Sequence, residues 1–421
     1  MKKTFGLLGE KLGHSFSPLI HGYLGDYEYP LYEVPSGGLD AFMKRREFDG
    51  INVTIPYKQA VLPYCASLSD EVRLIGSANT VIKDASGLLH GYNTDYHGFC
   101  VMLERGGIDP HDRKVLVLGD GGSALAVRAA LRGLGAREVV TISRRGENHY
   151  GNIARHYDAD IIVNTTPVGM YPDNGNSPLP LDGFKQLVGV VDIIYNPIRT
   201  KLLQEAERIG IACIGGLAML VAQAEMASRL FLNASSRPEL VDIILSEILK
   251  NTLNIALIGM PGCGKSTVGK SLSKATGRRF MDIDELIEAY AGKSIPEIFA
   301  ECGEGVFRQL ETRILGEEAK KSGIVIATGG GVVTRQENFE LLRQNSLIVY
   351  LKRELTELST DGRPLSMNMG VGAIAERRLP LYESWSDCAV EVCTDSEETA
   401  VRVLDVVMGF ARYCNVIAIT S

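Results

Sequence analysis

The sequence predicts an α/β protein with parallel sheets, and two features of the chain carry this prediction. Short apolar runs alternate with helical patterns along most of the 421 residues. These runs are typical of buried strands, and they lie at 114–118, 138–142, 161–163, 188–192, 254–258, 324–327 and 347–351. Two glycine-rich loops of different design each follow one of these strands and precede a helix. Two nucleotide loops on one chain indicate two enzymes joined end to end.

Polar side chains cluster at turn-like positions in the first hundred residues. Ser15 and Ser17 lie two residues apart, and in an extended segment this spacing directs both hydroxyls to one face. A strand pattern then stops at a proline, with Thr54 and Lys58 near its end. Each group alone is ordinary turn chemistry. Together with Asp95 they suit a polyhydroxylated acid, because a Lys–Asp pair can deliver the proton that carbonyl reduction requires.

The first glycine-rich loop follows the predicted strand at 114–118 and fits G-x-G-x-x-[GA]. In this strand–turn–helix setting the pattern predicts a dinucleotide site, with the pyrophosphate at the helix N-terminus. The first glycine permits the tight turn, and the second lets the backbone approach the pyrophosphate. The cofactor-binding residues predicted in this loop are Gly119, Asp120, Gly121, Gly122 and Ser123.

The end of the next predicted strand, at 138–142, indicates which dinucleotide is bound. Ser143, Arg144 and Arg145 stand where an NAD enzyme places an acidic residue for the ribose hydroxyls. Guanidinium groups there suit a 2′-phosphate, so the sequence favours NADP(H) over NAD. The alternative is a solvated basic loop without a ligand.

This Rossmann-like unit begins near residue 113 and divides the first half of the chain into two lobes. The segment before it has strands of its own, so we expect it to form a separate lobe. The chain should return to that lobe after about residue 217. The predicted lobes are a nucleotide lobe at 98–217 and a substrate lobe at 1–97 plus 218–250.

The joint between the two predicted enzymes lies near residue 250. A capping sequence at 235–238 starts an amphipathic helix, and a new strand pattern begins at about residue 254. The predicted domains are therefore 1–250 and 252–421. A single continuous doubly wound domain is disfavoured, because a P-loop usually follows the first strand of its own domain.

The second glycine-rich loop, at 259–267, fits G-x-x-x-x-G-K-[ST] without a mismatch. Its backbone N–H groups predict a cradle for the phosphates of ATP, with Lys265 reaching the β and γ oxygens and Ser266 ligating Mg²⁺. The nucleotide-binding residues predicted here are Gly262, Cys263, Gly264, Lys265, Ser266 and Thr267.

Charged residues beyond this loop complete a phosphoryl-transfer set. Asp282 and Asp284 alternate at a strand end, so one can serve the metal and the other can orient the acceptor hydroxyl. The alternative is that both carboxylates only cap a helix. Arg308 and Arg378 can clamp a substrate carboxylate with paired hydrogen bonds, or they are surface charges.

Composition excludes several other classes of function. The formal net charge of −7 argues against nucleic acid as a partner, and no apolar run approaches the about 20 residues of a membrane span. None of the eight cysteines forms a C-x-x-C pair, which is typical of reduced cytoplasmic thiols. The partners predicted are therefore small molecules, with no prediction of oligomeric state.

The motifs of the first half, in order, resemble those of shikimate dehydrogenase over roughly residues 4–250. The resemblance implies a two-lobed dehydrogenase with a Rossmann NADP-binding lobe, which reduces 3-dehydroshikimate to shikimate with NADPH. It implies that Lys58 and Asp95 form the catalytic pair. The substrate residues it implies are Ser15, Ser17, Thr54, Lys58, Asn79, Asp95, Tyr195 and Gln223, and those bordering the nicotinamide are Asp70, Ile193 and Gly216.

The motifs of the second half resemble those of shikimate kinase over roughly residues 252–412. The resemblance implies a P-loop kinase domain that phosphorylates the 3-hydroxyl of shikimate with ATP and Mg²⁺. It implies that Lys265 and Asp284 are catalytic and that Arg363 is a lid arginine over ATP. The shikimate residues it implies are Asp284, Arg308, Gly330 and Arg378, and the Mg²⁺ residues are Ser266 and Asp282.

Departures from both patterns leave two alternatives open. Asp120 replaces the usual alanine of the dinucleotide loop, which should weaken pyrophosphate binding unless the carboxylate points away. The segment from Arg363 to Arg378 looks short for a kinase lid. One alternative is a quinate-type dehydrogenase joined to another small-molecule kinase. The other is a scaffold or regulator in which one domain is catalytically dead.

Overall fold

Three sheets with flanking helices form the structure, a computed structural model that describes residues 2–13, 16–358, 371–412 and 418–419. This architecture confirms the predicted α/β class. The chain forms two compact units, one running to Leu245 and including residues 418–419, the other beginning at Ser246. The division falls within helix α8 (Pro238–Thr252).

The first sheet has the strand order β2-β1-β3-β5-β6-β4. Its strands are β1 (Phe5–Gly9), β2 (Leu31–Glu33), β3 (Gly50–Val53), β4 (Ser67–Leu68), β5 (Thr80–Lys83) and β6 (Leu89–Tyr92). The sheet is mixed rather than parallel, because β5 runs antiparallel to both β3 and β6. Its helices are α1 (Ser17–Leu24), α2 (Leu39–Arg45), α3 (Asp70–Ile75) and α4 (Thr94–Arg105).

The second sheet has the order β17-β11-β10-β9-β7-β8 and is parallel except for β17. Its strands are β7 (Lys114–Leu118), β8 (Glu138–Ile142), β9 (Ile161–Asn164), β10 (Gly189–Asp192), β11 (Ala212–Gly215) and β17 (Ala418–Ile419). The helices that follow its strands are α5 (Gly122–Gly133), α6 (Lys201–Arg208) and α7 (Leu217–Leu232). Helix α7 packs on α4, where a Cβ on Gly98 would lie 2.8 Å from the Met219 carbonyl oxygen.

The third sheet is wholly parallel, with the order β13-β14-β12-β15-β16. Its strands are β12 (Asn254–Ile258), β13 (Phe280–Asp282), β14 (Val325–Ala327), β15 (Ser346–Lys352) and β16 (Cys388–Glu391). Strand β12 lies at the centre and is buried along its length, as expected for a strand with both faces covered. The helices are α9 (Lys265–Thr276), α10 (Ile283–Ala291), α11 (Ile295–Glu318), α12 (Gln336–Arg343), α13 (Val371–Trp385) and α14 (Ser396–Arg412).

The described helices were compared with the length and hydrophobicity of a membrane span. Within the described part of the chain, none of them combines the length and apolar character that a span across a bilayer requires.

Candidate active sites

A lysine–aspartate pair lies in the first sheet's lobe. Lys58 follows β3, and Asp95 lies in the first turn of α4. The Lys58 Nζ donates to Asp95 Oδ2 at 2.5 Å, and the two side chains are 15% and 5% exposed. Residues 37 positions apart thus form a nearly buried ion pair, in which Lys58 keeps the larger exposed fraction. The structure therefore brings together the two residues that the sequence assigned to proton transfer.

Asp95 is held on its other side by the predicted substrate residue Asn79. The Asn79 side-chain amide donates to Asp95 Oδ1 at 2.8 Å and to Thr94 Oγ1 at 3.0 Å. Asn93 caps α4 by accepting from the Asp95 amide, which fixes the start of the helix. Both oxygens of Asp95 are thus occupied, so its orientation is set before any ligand binds.

A buried polar chain behind Asn79 was missed by sequence reasoning. Tyr29 donates to Asn52 Oδ1 at 2.7 Å, Asn52 donates to Thr80 Oγ1 at 3.0 Å, and Thr80 donates to Asn79 Oδ1 at 3.2 Å. The His21 ring stacks on Tyr29 at 3.8 Å between centroids, and burial lowers the pKa of His21 to about 3. Because His21 stays neutral, the chain adds no charge to the site. Asn52, Thr80 and His21 all stood in the sequence motifs, which was the available signal.

The other predicted substrate residues of this half are spread over both lobes, with Tyr195 following β10 of the second sheet. Thr54 follows β3 and is half-buried, and Ser17 opens α1. The Tyr195 ring packs on Phe16 with 5.6 Å between centroids. Gln223 on α7 has a buried Oε1 without a hydrogen-bond partner among the described residues. A buried, unsatisfied acceptor of this kind needs a donor, which a hydroxylated ligand supplies. Ser15 lies outside the described residues.

The dinucleotide loop has the backbone that its glycines predict. Gly119 has φ +102°, and a Cβ there would lie 2.9 Å from Thr166 Cγ2. Gly121 precedes α5, and neither Gly121 nor Gly122 has an atom within 4 Å of a built Cβ. The N-terminus of α5 is therefore unobstructed at both glycines, which suits the binding of a pyrophosphate. Half-buried Ser123 lies in the first turn of α5.

The predicted 2′-phosphate residues follow the neighbouring strand. Leu118 of β7 and Ile142 of β8 are paired, so Asp120 and Arg144, each two residues further on, leave the sheet side by side. Arg144, Arg145 and Asp120 are exposed, and none of the three forms an ion pair within the part of the chain described. The Ser143 hydroxyl donates to the Arg145 carbonyl at 2.7 Å and shapes the turn. Two free guanidinium groups fit a phosphate, and a free carboxylate beside them opposes it.

Replacing Asp120 with alanine should therefore tighten NADPH binding. We expect kcat/KM for NADPH to rise about threefold, because a like charge beside the 2′-phosphate is removed at an exposed site. The effect with NADH, which lacks that phosphate, should be smaller. Steady-state rates with both nucleotides would test this, with Asp120→Asn as the isosteric control. An equal gain with both nucleotides would contradict a charge effect at the 2′-phosphate.

The residues predicted to border the nicotinamide are held by a buried carboxylate that sequence reasoning left without a role. Asp192, at the end of β10, accepts from the Asn164 side chain at 3.0 Å, the Ile194 amide at 3.1 Å and the Thr200 hydroxyl at 2.7 Å. Burial raises the pKa of Asp192 to about 7. These bonds fix the turn that carries Ile193. A Cβ on Gly216 would lie 2.0 Å from the Ile193 carbonyl oxygen, so these two predicted residues are in contact.

Asp70 is the remaining residue predicted at the nicotinamide. It is exposed in the first turn of α3, one residue after the Ser69 cap. The structure shows no contact between Asp70 and the other predicted cofactor residues among those it describes.

The second unit carries the P-loop between β12 and α9. Gly259, Gly262 and Gly264 have φ of +147°, +85° and +100°, conformations that side chains disfavour. Lys265 is buried, and its Nζ donates to the Gly259 and Met260 carbonyls at 2.9 and 3.0 Å. The loop thus holds its own lysine inside the cradle. An ammonium held within a glycine-rich loop at a helix N-terminus fits a polyphosphate.

The remaining predicted nucleotide residues differ in exposure. Cys263 is fully buried, with its Sγ 3.9 Å from Lys265 Nζ, whereas Ser266 and Thr267 are less enclosed. Arg363 and the predicted lid up to residue 370 lie outside the described residues, and its remaining residues to Arg378 belong to α13.

Asp282 both caps a helix and faces the P-loop. Its Oδ1 accepts from the backbone amides of Asp284 and Glu285, which starts α10. Its Oδ2 accepts from the Ser266 hydroxyl at 2.5 Å. The capping alternative is therefore correct for Asp282 and coexists with the predicted role. A hydroxyl and a carboxylate oxygen in contact fit Mg²⁺, which takes hard oxygen ligands.

Asp284 faces a second buried carboxylate, Glu311, across Gly329. Asp284 Oδ1 and Glu311 Oε1 are buried and have no hydrogen-bond partner among the described residues. A Cβ on Gly329 would lie 2.9 Å from the first and 2.5 Å from the second. Burial, and next the charge of Glu311, raise the pKa of Asp284 to about 6. A buried acceptor with a raised pKa is suited to bind a hydroxyl proton. Glu311 was missed as a site residue, although it lies three positions after Arg308 on the same helix.

Two arginines converge on the glycine turn that follows β14. Arg308 donates from Nη1 to Glu311 Oε2 at 2.7 Å, and a Cβ on Gly331 would lie 2.1 Å from its Nη2. Arg378 donates to the Gly330 carbonyl at 3.1 Å, and the Tyr382 hydroxyl donates to the same oxygen. Both arginines are buried, so neither is a surface charge. Buried guanidinium groups beside a backbone turn suit an anionic ligand.

Family models match both halves of the chain. A model described as "Shikimate dehydrogenase substrate binding domain" matches residues 7–81. A model described as "Shikimate kinase" matches residues 261–408.

Curated relatives match the first half. The chain is 37% identical over 246 residues to a shikimate dehydrogenase (NADP(+)) of Clostridium beijerinckii, covering 54% of this chain and 91% of the relative. It is 38% identical over 280 residues to a shikimate dehydrogenase (NADP(+)) of Caldicellulosiruptor bescii, covering 60% of this chain and 96% of the relative.

Solved structures match the same half. One is a chorismate mutase/shikimate 5-dehydrogenase fusion protein from Clostridium acetobutylicum, with TM-score 0.56 and 35% identity over 58% of this chain and 96% of that one. Another is shikimate 5-dehydrogenase from Thermus thermophilus in complex with NADP(H) and shikimate. It has TM-score 0.53 and 33% identity over 58% of this chain and 98% of that one.

Proposed function

Because the chain belongs to the shikimate dehydrogenase family and also carries a shikimate kinase domain, we infer that it is a bifunctional enzyme of the shikimate pathway. The first half is an NADP-dependent shikimate dehydrogenase, which reduces 3-dehydroshikimate to shikimate. The second half is a shikimate kinase, which uses ATP and Mg²⁺ to form shikimate 3-phosphate. The single observation that carries this assignment is the coexistence of the Lys58–Asp95 pair and the P-loop on one chain.

In the dehydrogenase half, Lys58 holds the proton that the reaction needs. The nicotinamide supplies the hydride when it is bound. Lys58 Nζ is oriented by Asp95 at 2.5 Å and can donate one proton to the carbonyl oxygen of the substrate. Asp95 keeps the ammonium in place, and Asn79 keeps Asp95 in place. Because the pair is nearly buried, bulk water competes weakly for the same hydrogen bonds.

The substrate contacts of this half follow from the donors and acceptors left open around the pair. The Gln223 Oε1 acceptor is unsatisfied among the described residues and suits a hydroxyl of the ring. We propose that Ser15, Ser17, Thr54 and Tyr195 contribute further hydroxyls.

In the kinase half, the charges are arranged for phosphoryl transfer. ATP supplies the phosphoryl group when it is bound. Lys265 lies in the cradle that binds the phosphates, and Ser266 with Asp282 would hold Mg²⁺. Asp284 has a buried oxygen that can accept a hydrogen bond from the attacking hydroxyl. Arg308 and Arg378 would bind the substrate carboxylate, with Gly330 as the turn between them.

The remaining organisation is also a proposal. The dehydrogenase half would comprise residues 1–250, with the substrate lobe at 1–97 plus 218–250, and the kinase half residues 252–421. The first two sheets and the third sheet support this division except at residues 418–419, whose strand β17 pairs with β11 of the second sheet. We propose a cytoplasmic protein that acts on small molecules and needs neither nucleic acid nor a membrane.

Two assays on one purified chain test the bifunctional assignment. Shikimate should drive the reduction of NADP⁺ in one assay and the formation of ADP from ATP in the other. Lys265→Ala should lower the second rate about a thousandfold, because the loop loses its charge on the phosphates. The first rate should stay within about twofold, because the change lies in the other compact unit. Undiminished ATP turnover in this variant would contradict the kinase assignment, and a wild-type chain active in only one assay would support the alternative of one dead domain.

A further inference from the structure

The buried guanidinium of Arg308 is shared between two carboxylates of its own helix. Its Nη1 donates to Glu311 Oε2 at 2.7 Å. Its Nε and Nη2 both donate to a single oxygen, Glu304 Oε1, each at 3.2 Å. The Nε–Nη2 edge is one that binds carboxylates through two parallel hydrogen bonds. Glu304 therefore occupies a position on Arg308 that an external carboxylate would take.

The two carboxylates differ in how firmly they are held. The Glu311 side chain is fully buried, whereas that of Glu304 is 46% exposed. The two bonds to Glu304 are longer than the bond to Glu311 and end on one oxygen, so they lack paired geometry. A partly exposed ion pair of this kind contributes little to stability, because water competes for both charges. Glu304 is thus the partner that Arg308 can exchange.

The backbone beside Glu304 provides room for such an exchange. Gly303 has φ +79° and ψ +171°, which interrupts the helical conformation of α11 directly before Glu304. A built Cβ on Gly303 meets no atom within 4 Å, so this position is open. Glu304 therefore starts a new helical segment and is not braced by a preceding helical turn.

We propose that Glu304 is a specificity-determining residue of the kinase half, an internal carboxylate that competes with the carboxylate of the substrate for Arg308. The proposal rests on the proposed kinase function, in which Arg308 binds shikimate. An incoming ligand must displace Glu304 to gain both bonds of the Nε–Nη2 edge. A carboxylate able to form both bonds does so, whereas a ligand without one leaves Glu304 in place. Glu304 would thus set the affinity for carboxylate ligands, because each must displace it, and deny Arg308 to ligands that lack a carboxylate.

Replacing Glu304 with glutamine tests this competition in the full chain. We expect KM for shikimate in ATP-dependent phosphorylation to fall three- to tenfold, about 0.6–1.4 kcal/mol, with kcat and the KM for ATP little changed. Trp385 is the single tryptophan of the chain and lies buried on α13. Its emission during a shikimate titration gives the dissociation constant of the kinase half independently of turnover. That constant should fall by the same factor.

The matched control is Glu301→Gln, which removes the same charge from the same helix. Glu301 pairs with Lys293 instead of Arg308 and is half exposed, so the control should leave both constants unchanged. A rise in KM for the Glu304 variant, or no change, would overturn the proposal, because Glu304 would then orient Arg308 rather than compete for its ligand. A wild-type chain that phosphorylates no shikimate would instead refute the kinase function itself, and this inference with it.

Discussion

Replacing Lys58 with methionine should lower kcat of the dehydrogenase reaction about a thousandfold, the usual contribution of a positioned general acid. Methionine keeps most of the length of the lysine side chain but removes the proton donor. It also leaves Asp95 Oδ2 without its 2.5 Å partner in a nearly buried position. The measurement is NADPH oxidation with saturating 3-dehydroshikimate. Formation of ADP in the kinase reaction should be unaffected.

Lys83→Met is the matched control for this change. Lys83 lies on β5 of the same sheet and donates to the Arg46 carbonyl, away from the Lys58–Asp95 pair. The control should keep wild-type kcat, and Asp95→Asn should lose activity as Lys58→Met does. If the Lys58 variant keeps about a tenth or more of the wild-type kcat, Lys58 is not the proton donor of the reaction.

Replacing Asp284 with asparagine should lower the activity of the kinase half and raise its stability. We expect kcat for phosphorylation to fall between about a hundredfold and a thousandfold, because the amide offers the acceptor hydroxyl no negative oxygen. The same change should stabilise the free chain at about pH 7.5 by about 3 kcal/mol, since it removes a buried charge whose pKa is raised from 3.8 to about 6. Trp385 emission during unfolding in denaturant, without ATP or Mg²⁺, would report the second effect.

The raised pKa of Asp284 also predicts how the free energy of unfolding changes with pH. The folded state binds the Asp284 proton more tightly than the unfolded state, so Asp284 makes the wild type lose stability as pH rises from 3.8 to about 6. The asparagine variant lacks this loss, and the difference between the two chains should grow over that range and then level off. The control is Glu285→Gln, an exposed neighbour on the same helix. A difference between the chains that does not vary with pH would show that Asp284 is not an unfavourable buried charge.

Much of both sites could be predicted because glycine and capping patterns encode local geometry. The P-loop and the dinucleotide loop were found from strand–loop–helix order, and the structure has the positive φ values at Gly119 and Gly264 that such turns need. Lys58 and Asp95 were paired by their chemistry and their motifs, and they meet at 2.5 Å. The family and both activities predicted from these motifs are confirmed by the matching family models and relatives.

Features that depend on strand order could not be predicted in the same way. The polar chain from Tyr29 through Asn52 and Thr80 requires that β3 and β5 be neighbours, and no local pattern specifies this. The mixed first sheet was missed because its strands are short, and the predicted runs began only at residue 114. The pair Glu304–Arg308, by contrast, has i,i+4 spacing on one helix and was visible in the sequence. It was overlooked because the arginine already had a role.

The division between the two compact units inside α8 bears on how this gene can be cut or lengthened. A flexible tether tolerates added or lost residues, but each residue inserted into a helix turns everything beyond it by about 100° around the axis. One extra codon between Leu245 and Ile248 would therefore move Ile248 and Leu249, both fully buried, off the stripe they share with Ile244. Separate expression of the halves should therefore succeed best when both fragments carry the whole of helix α8 (Pro238–Thr252), so that the helix is duplicated rather than divided.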